Sequence, residues 1–378
     1  MTGPTERSAA LKELGRRLAA RRVEAGLDVE RLAARAVVAP HLIERFERGE
    51  GGLATGALTR ISSVLGVPVA GLILVSAPEE KAAAEPSALL FSRGTTSLSA
   101  KDGQKLDEAI YRARAFLEVG RVLAIEDLCG YFTPSPAPAK HAHKEGYSCA
   151  HQVRSLMPEY RGQPLRNLAR LIEDRFNILV VRHSFENPSV LGAATRTGQA
   201  RVILVNTELK HEAEVRFTLA HELGHHLKDL KEDGTTVDEK DRGTAGFSLD
   251  TPPAEKRARA FAAMLLAPEE ALNEHVGPPR SLGHELLPAR QLVRKARHLF
   301  GMGFEAMAWH LFNLGYLQYQ ETVLALLKAP DQDEVAGFET DMTLDGLERR
   351  AQAALYGDLI SEARYRELLG LPYDALLS

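Results

Sequence analysis

Two histidines four residues apart, with a glutamate directly after the first, stand at His221, Glu222 and His225. Residues four apart lie on one face of a helix, so both imidazoles reach a single ion. Glu222, one residue on, is turned toward the water bound to that ion. A second segment, 253–266, follows Pro252 and stops at Pro268, and its apolar stripe is Ala258, Phe261, Ala262, Leu265 and Leu266. Glu255 precedes Ala258 and Ala262 by three and seven residues, which places it on the same inward face. An inward carboxylate is costly unless it is paired or binds a metal. The competing explanation is a salt bridge to Arg257 or Arg259 at the helix start. Two His and one Glu leave a fourth tetrahedral position for water, the catalytic form of a zinc site. The pattern is therefore that of a catalytic Zn2+ site on His221, His225 and Glu255, with Glu222 turned toward the bound water. A second group, His141, His143, Cys149 and His151, has metal-binding atoms, but its irregular spacing beside a Pro-rich stretch reads as an exposed loop.

The elements that must position these groups follow from periodicity. The segment around the histidines, Glu212 to Lys228, is helical. Before it, Ile178–Arg182 and Arg201–Val205 read as strands separated by Gly192, Thr195–Thr197 and Gly198, as in a short antiparallel sheet. Leu11 to Val75 carries about five short helices broken at Gly26, Gly49–Gly52 and Gly66. Ser76–Gln104, with its Ala run and its Pro, Ser and Thr, is a linker, and a longer helix runs from Lys105 to about Cys129. Thr133–Gly146, with Pro134, Pro136 and Pro138, cannot hold a regular helix. From Lys328 onward five basic residues face eleven acidic ones, yet leucines at helical spacing make a helical module rather than a disordered tail.

The bulk numbers narrow the class. The chain has 378 residues, too many for one compact core, with a net charge of -4 that excludes a general polycation, so any nucleic-acid site is local. Two cysteines, Cys129 and Cys149, exclude a disulfide framework and suit a reducing compartment. No apolar run approaches the roughly 18 residues that span a bilayer, and no export signal is visible, so a cytoplasmic protein without a membrane partner is expected.

The run Arg216-Phe217-Thr218-Leu219-Ala220-His221-Glu222-Leu223-Gly224-His225-His226, followed by Glu255, Ala258, Phe261, Ala262, Leu265, Leu266 and Pro268, resembles the ImmA/IrrE metallopeptidases. The resemblance spans roughly Tyr147 to Leu317. It implies that His221, His225 and Glu255 bind zinc, that Glu222 is the general base, and that the substrate is a repressor protein. Arg259 departs from the Asn or Asp the family usually has there. The segment Val202–Asn206 resembles the strand before the active-site helix, an edge that would hold an extended peptide by strand addition. Leu292–Leu317 resembles the helical region that follows the peptidase, with Trp309 in its core.

Leu14–Leu72 resembles an XRE-type helix-turn-helix, notably at Gly15, Arg17-Leu18, Gly26-Leu27, Leu32-Ala33, Ile43–Gly49 and Leu65–Pro68. The resemblance implies a third helix, from about Pro40 to Arg48, in the major groove. Candidate DNA contacts are Arg35, His41, Glu44, Arg45 and Arg48. Val29 and Val37 replace the usual polar opener of the second helix and the usual turn glycine. With no Asn or Gln on the groove-facing helix, binding would be mostly to phosphates.

The expected fold is therefore multidomain: an all-α helix-turn-helix domain (10–76), a linker with a long helix (77–146), an α+β zincin-like metallopeptidase domain with a small antiparallel sheet (147–325), and an acidic helical C-terminal module (326–378). The expected function is a DNA-associated zinc metalloprotease that cleaves a helix-turn-helix repressor in a stress or defence switch; a homodimer stays open. The alternative is a transcriptional regulator whose peptidase-like domain senses a ligand or metal without cleaving.

Overall fold

A computed structural model describes residues 4–25, 27–36, 38–53, 55–65, 98–134, 141–230, 233–239, 251–279, 284–331, 333–338 and 345–371. The expected linker before residue 98 and the stretch from Gly66 to Leu72 lie outside these residues. The chain forms two compact units, Met1–Ala88 with Arg350–Ser378, and Leu89–Arg349.

In the first unit, α1 (Pro4–Glu24), α2 (Val29–Ala36), α3 (Pro40–Glu47) and α4 (Thr55–Leu65) enclose Leu18, Leu32, Ile43, Phe46 and Ile61. Burial of these side chains drives the packing at roughly 25 cal/mol per Å² of apolar surface. Helix α1 meets the end of α3 so closely that a Cβ at Gly15 would lie 2.1 Å from the Phe46 carbonyl oxygen. Arg22 fixes the same contact, donating to the Glu47 carboxylate at 2.7 and 2.8 Å and to the Leu27 carbonyl at 3.0 Å. Pro40 opens α3, where its missing N–H costs nothing. Near the other end of the chain, α14 (Gly346–Tyr356) contains the boundary between the units and α15 (Glu362–Leu369) packs on α4. Residues 350–378, which the sequence groups with an acidic module of their own, thus share a unit with the helix-turn-helix.

The second unit is built on β1 (Leu179–His183), β2 (Val190–Thr197), β3 (Ala200–Asn206) and β4 (Asp233–Glu239), in the order β1-β3-β2-β4. Here the structure corrects several expectations. The sheet is mixed rather than wholly antiparallel, because β1 runs parallel to β3 while β2 runs antiparallel to both β3 and β4. The residues read as a separator between two strands are themselves β2. Its Gly192-Ala193-Ala194 core carries little apolar bulk because the helix Glu212–Lys228 lies directly on it. A Cβ at Gly192 would meet Thr218 at 2.6 Å. Gly198, at φ 60°, makes the tight turn from β2 into β3.

Strand β3 is also not an edge. It lies between β1 and β2, and all seven of its residues are buried, so both its faces are covered. Strand addition at Val202–Asn206 is therefore excluded, because its backbone groups are already paired on both sides.

Helices α5 (Ala100–Val122) and α8 (Glu212–Lys228) pack against the sheet. Helix α5 starts at Ala100, five residues before the expected Lys105, because the Ser99 hydroxyl caps the Asp102 N–H. It ends at Val122, and Cys129 lies in a separate 3-10 turn, Leu128–Tyr131. Helix α6 (Ala142–Ser155) begins within the stretch judged unable to hold a helix, since the prolines all precede it. Helix α9 (Pro253–Leu266) lies against both α6 and α8. Around this centre stand α7 (Leu168–Phe176), α10 (Glu269–Val276), α11 (Leu286–Phe300), α12 (Phe304–Asn313) and α13 (Gln320–Leu327).

Candidate metal centre and nucleic-acid interface

Helix α8 has Glu212 and Glu214 in its first turn and Lys228 in its last, charges that complement its dipole at each end. Its middle is buried against the sheet and α9. Arg216 anchors the first half, donating to the carbonyls of Arg166 (2.6 Å), Gly301 (3.2 Å) and Phe300 (3.3 Å), with its guanidinium 4.1 Å from the Phe338 ring centroid. His226 anchors the second half by donating Nε2–H to the Val202 carbonyl of β3 at 3.0 Å. Burial holds its pKa down at about 3, so this third histidine is a neutral strut rather than a ligand.

The other two histidines turn toward α9. Nε2 of His221 and Nε2 of His225 lie 3.0 Å apart, and the Glu255 carboxylate reaches both at 3.2 Å. Glu255 faces the two imidazoles, and Arg257 pairs not with it but with Asp229 and, at 2.8 Å, with Glu145. Glu255 Oε2 is the atom 3.2 Å from His221 and Oε1 the one 3.2 Å from His225, and one ligand atom from each of the three residues lies within 4.8 Å of the other two. Tetrahedral zinc, with bonds of about 2.0 to 2.1 Å, separates its ligand atoms by about 3.3 Å, so the donor set fits such an ion. The electrostatics agree. Burial opposes charge on His225, yet Glu255 and Asp229 hold its pKa well above the ordinary histidine value. Burial likewise opposes charge on Glu255, yet the two imidazoles hold its carboxyl well below the usual range. The protein has gathered negative charge here that wants a cation.

Behind the triad stands a chain that the sequence reading missed. The Asp229 carboxylate accepts from His225 Nδ1 at 3.0 Å and from Arg257 on its other oxygen, and Glu145 of α6 holds both Arg257 and, at 3.6 Å, Lys228. Asp229 lies four residues after His225, the spacing that makes helical neighbours, so the signal was present. Glu145 carried no such signal. Gly146 allows the approach, since a Cβ there would lie 2.3 Å from the Arg257 carbonyl oxygen.

Glu222 is fully buried, with one carboxylate oxygen over Gly192 of β2 and the other accepting from the Thr236 hydroxyl of β4 at 3.4 Å. Among the described residues no donor reaches its Oε1. Burial pushes its pKa up to about 8 against the pull of the two histidines. Asp238, also on β4, stands 4.0 Å from His221 Nε2. The sequence offered no sign of it, because β4 follows the active-site helix and its side chains return to the site only through sheet pairing.

With this geometry in place the comparisons can be read. Residues 173–311 match the IrrE N-terminal-like domain of the peptidase M78 family model. Residues 13–72 match a helix-turn-helix domain model. The chain thus fuses a helix-turn-helix domain to an IrrE-like peptidase domain. No curated protein matches the chain.

On the helix-turn-helix domain, His41 and Arg45 of α3, Arg48 at its end and Arg35 in the last turn of α2 are exposed, and Glu44 is half-buried. Arg48 already pairs with Glu50 at 3.0 Å and faces Glu44 at 3.9 Å. In the second unit the group His141, His143, Cys149 and His151 does not converge among the described residues. It lies at the start of and along α6 rather than in a loop, with Cys149 buried, His141 and His151 exposed, and the His143 ring tilted at 45° against Tyr147, 4.3 Å between ring centroids. Cys129 is buried, as expected of a thiol inside the fold, and donates to the Phe176 carbonyl at 3.3 Å. Trp309 of α12 is half-buried against the main core. Among the described residues no helix is long and apolar enough to cross a membrane.

Proposed function

We propose that the protein is a DNA-associated, zinc-dependent peptidase that cleaves a regulatory protein, with a helix-turn-helix repressor as the substrate class. The observation that carries this reading is the convergence of His221, His225 and Glu255 at 3.0 to 3.2 Å with Glu222 beside them and not among them. In this reading His221, His225 and Glu255 hold the zinc. Zinc held there would polarise the scissile carbonyl and acidify an attacking water. Glu222 is the residue placed to accept a proton from an attacking water and pass it to the departing amine. Its Oε1 is available for this because Thr236 occupies only Oε2. Asp229 orients His225 and supports its basicity. The helix-turn-helix domain brings the peptidase to DNA where a repressor is bound, which suits a cytoplasmic switch in stress or defence.

The test compares cells expressing wild type and Glu222→Gln, with new protein N-termini mapped by mass spectrometry. Termini that appear only with wild type, while both proteins carry equal zinc, are the expected result. Identical terminus sets with zinc bound in both would leave the alternative, a regulator whose peptidase domain senses without cutting.

A further inference from the structure

Four consecutive residues of β1, Val180 to His183, line one cavity of about 440 Å³. Side chains alternate between the two faces of a strand, so a cavity that meets all four lies off the strand's edge and not on a face. That edge is open. Strand β1 is bonded to β3 alone, and alternate residues turn their backbone groups to opposite edges. The His183 carbonyl is turned inward, where it accepts from the Thr207 N–H at 3.0 Å; the Val180 N–H is turned outward, where the Glu173 carboxylate takes it at 3.3 Å. The Arg182 N–H and C=O and the Val180 C=O share that outward direction, and among the described residues none of the three has a partner beyond the sheet. Helices α5 and α7 and the start of α14 wall the groove, all within the second unit. Arg112 pairs with Asp345 at 2.5 Å and Arg349 with Glu173 at 2.7 Å, which holds these walls in place. The rim is basic. Arg182 is exposed, has no carboxylate partner among the described residues, and meets only the Thr207 carbonyl at 3.4 Å. Lys105 and Arg170 are held only by exposed pairs with Glu108 and Asp174, which are worth little.

We infer that the open edge of β1 is a docking site for an extended acidic segment of a partner protein, which adds to the sheet as a fifth strand. One residue of that segment exchanges two hydrogen bonds with Arg182, donating its N–H to the Arg182 carbonyl and accepting from the Arg182 N–H, as an antiparallel pair does. The N–H two residues along reaches the Val180 carbonyl. Carboxylates at neighbouring positions of the segment, one on each face, meet Arg182 and Lys105. A groove with helical walls admits a single extended chain and not the edge of a second folded sheet. Strands β1 and β4 are the two outer strands, roughly 14 Å apart across the sheet, so this site is separate from the metal centre and does not depend on the metal reading.

The experiment titrates the full chain, as wild type, Arg182→Pro and Arg182→Gln, against a fluorescein-labelled, terminally blocked Thr-Val-Glu-Glu-Val-Thr peptide and against the same peptide N-methylated at both glutamates. Proline removes the outward N–H at a position where an edge strand tolerates it, whereas glutamine removes only the charge. Anisotropy reads the affinity, and hydrogen exchange at the amides of 180–183 reads the place. Wild type is expected to bind the peptide with slowed exchange at the Arg182 amide. Arg182→Pro, and N-methylation of the peptide, are each expected to weaken binding roughly tenfold, the size of a backbone hydrogen bond left unmade. Arg182→Gln is expected to lose a few-fold and to keep the protection, and metal chelation is expected to change nothing. If Arg182→Pro does not fold by circular dichroism, the N-methylated peptide on wild type carries the test. A wild type that does not bind, or that binds the N-methylated peptide equally, overturns the docking edge. So does binding that His221→Ala abolishes while Arg182→Pro leaves it intact, which would put the peptide at the metal centre. A dimer in sedimentation that Arg182→Pro dissociates, with no peptide bound, gives the edge to a second copy and overturns the acidic partner.

Discussion

Asp229 Oδ2 lies 3.0 Å from Nδ1 of His225, whose other ring nitrogen faces His221 and Glu255. That hydrogen bond places the proton on Nδ1 and leaves the Nε2 lone pair for a metal. Arg257, itself held by Glu145, keeps Asp229 in place.

Asp229→Ala is therefore expected to weaken zinc binding about 10- to 100-fold with the fold retained. Chelator competition measures the first and circular dichroism the second. Equal affinity in the variant would remove Asp229 from the site.

Glu222→Gln is expected to bind zinc as wild type does and to slow cleavage at least about a hundredfold, the usual size of a general-base contribution. Metal analysis and single-turnover kinetics on a mapped substrate check it. A variant that still cuts at the wild-type rate would place the base elsewhere.

Gly192→Ala puts a methyl 2.6 Å from Thr218 Cγ2, 3.0 Å from the Leu204 carbonyl oxygen and 3.3 Å from Glu222 Oε1. Overpacking of this kind costs about 1 to 3 kcal/mol. Chemical denaturation should show that loss, and cleavage should fall further than stability alone explains, because the methyl pushes on Glu222.

His310 is buried, donating Nε2–H to the Ala267 carbonyl and accepting from Tyr147 Oη at Nδ1, each at 2.8 Å. Burial lowers its pKa from the ordinary 6.5 to about 4. The unfolded chain then binds this proton more readily than the folded one. Stability is intact above pH 6.5 and falls by about 3 kcal/mol as pH drops through that window to 4. Denaturant midpoints of wild type and His310→Gln between pH 7 and 4 should show the steeper loss in wild type.

On the helix-turn-helix domain, Glu44 and Glu50 neutralise Arg48 on the surface expected to face DNA. A Glu44→Gln, Glu50→Gln double variant should bind duplex DNA several-fold more tightly than wild type and with a steeper salt dependence, since it frees a cation for phosphate. Fluorescence anisotropy at two salt concentrations reads both. Unchanged affinity would place the DNA surface elsewhere.

The convergence of His221, His225 and Glu255, with Glu222 beside them, and the two helices that carry them were legible from sequence alone. An i,i+4 histidine pair and an apolar stripe bounded by prolines are local patterns, and a helix converts local spacing directly into a shared face. The helix-turn-helix was legible for the same reason. What needed tertiary structure were contacts between residues far apart in the chain. Strand β2 is poor in apolar bulk because α8 lies on it, so its Gly192-Ala193-Ala194 core looked like a turn. The parallel pairing of β1 with β3 depends on which strands meet, and no residue pattern records that. Asp238 and Thr236 come to Glu222 only because β4 pairs with β2, and Glu145 comes to Arg257 only because Gly146 lets α6 press against α9. Helical periodicity determines which residues of one segment face the same way; the close packing of separate segments decides which of those faces meet.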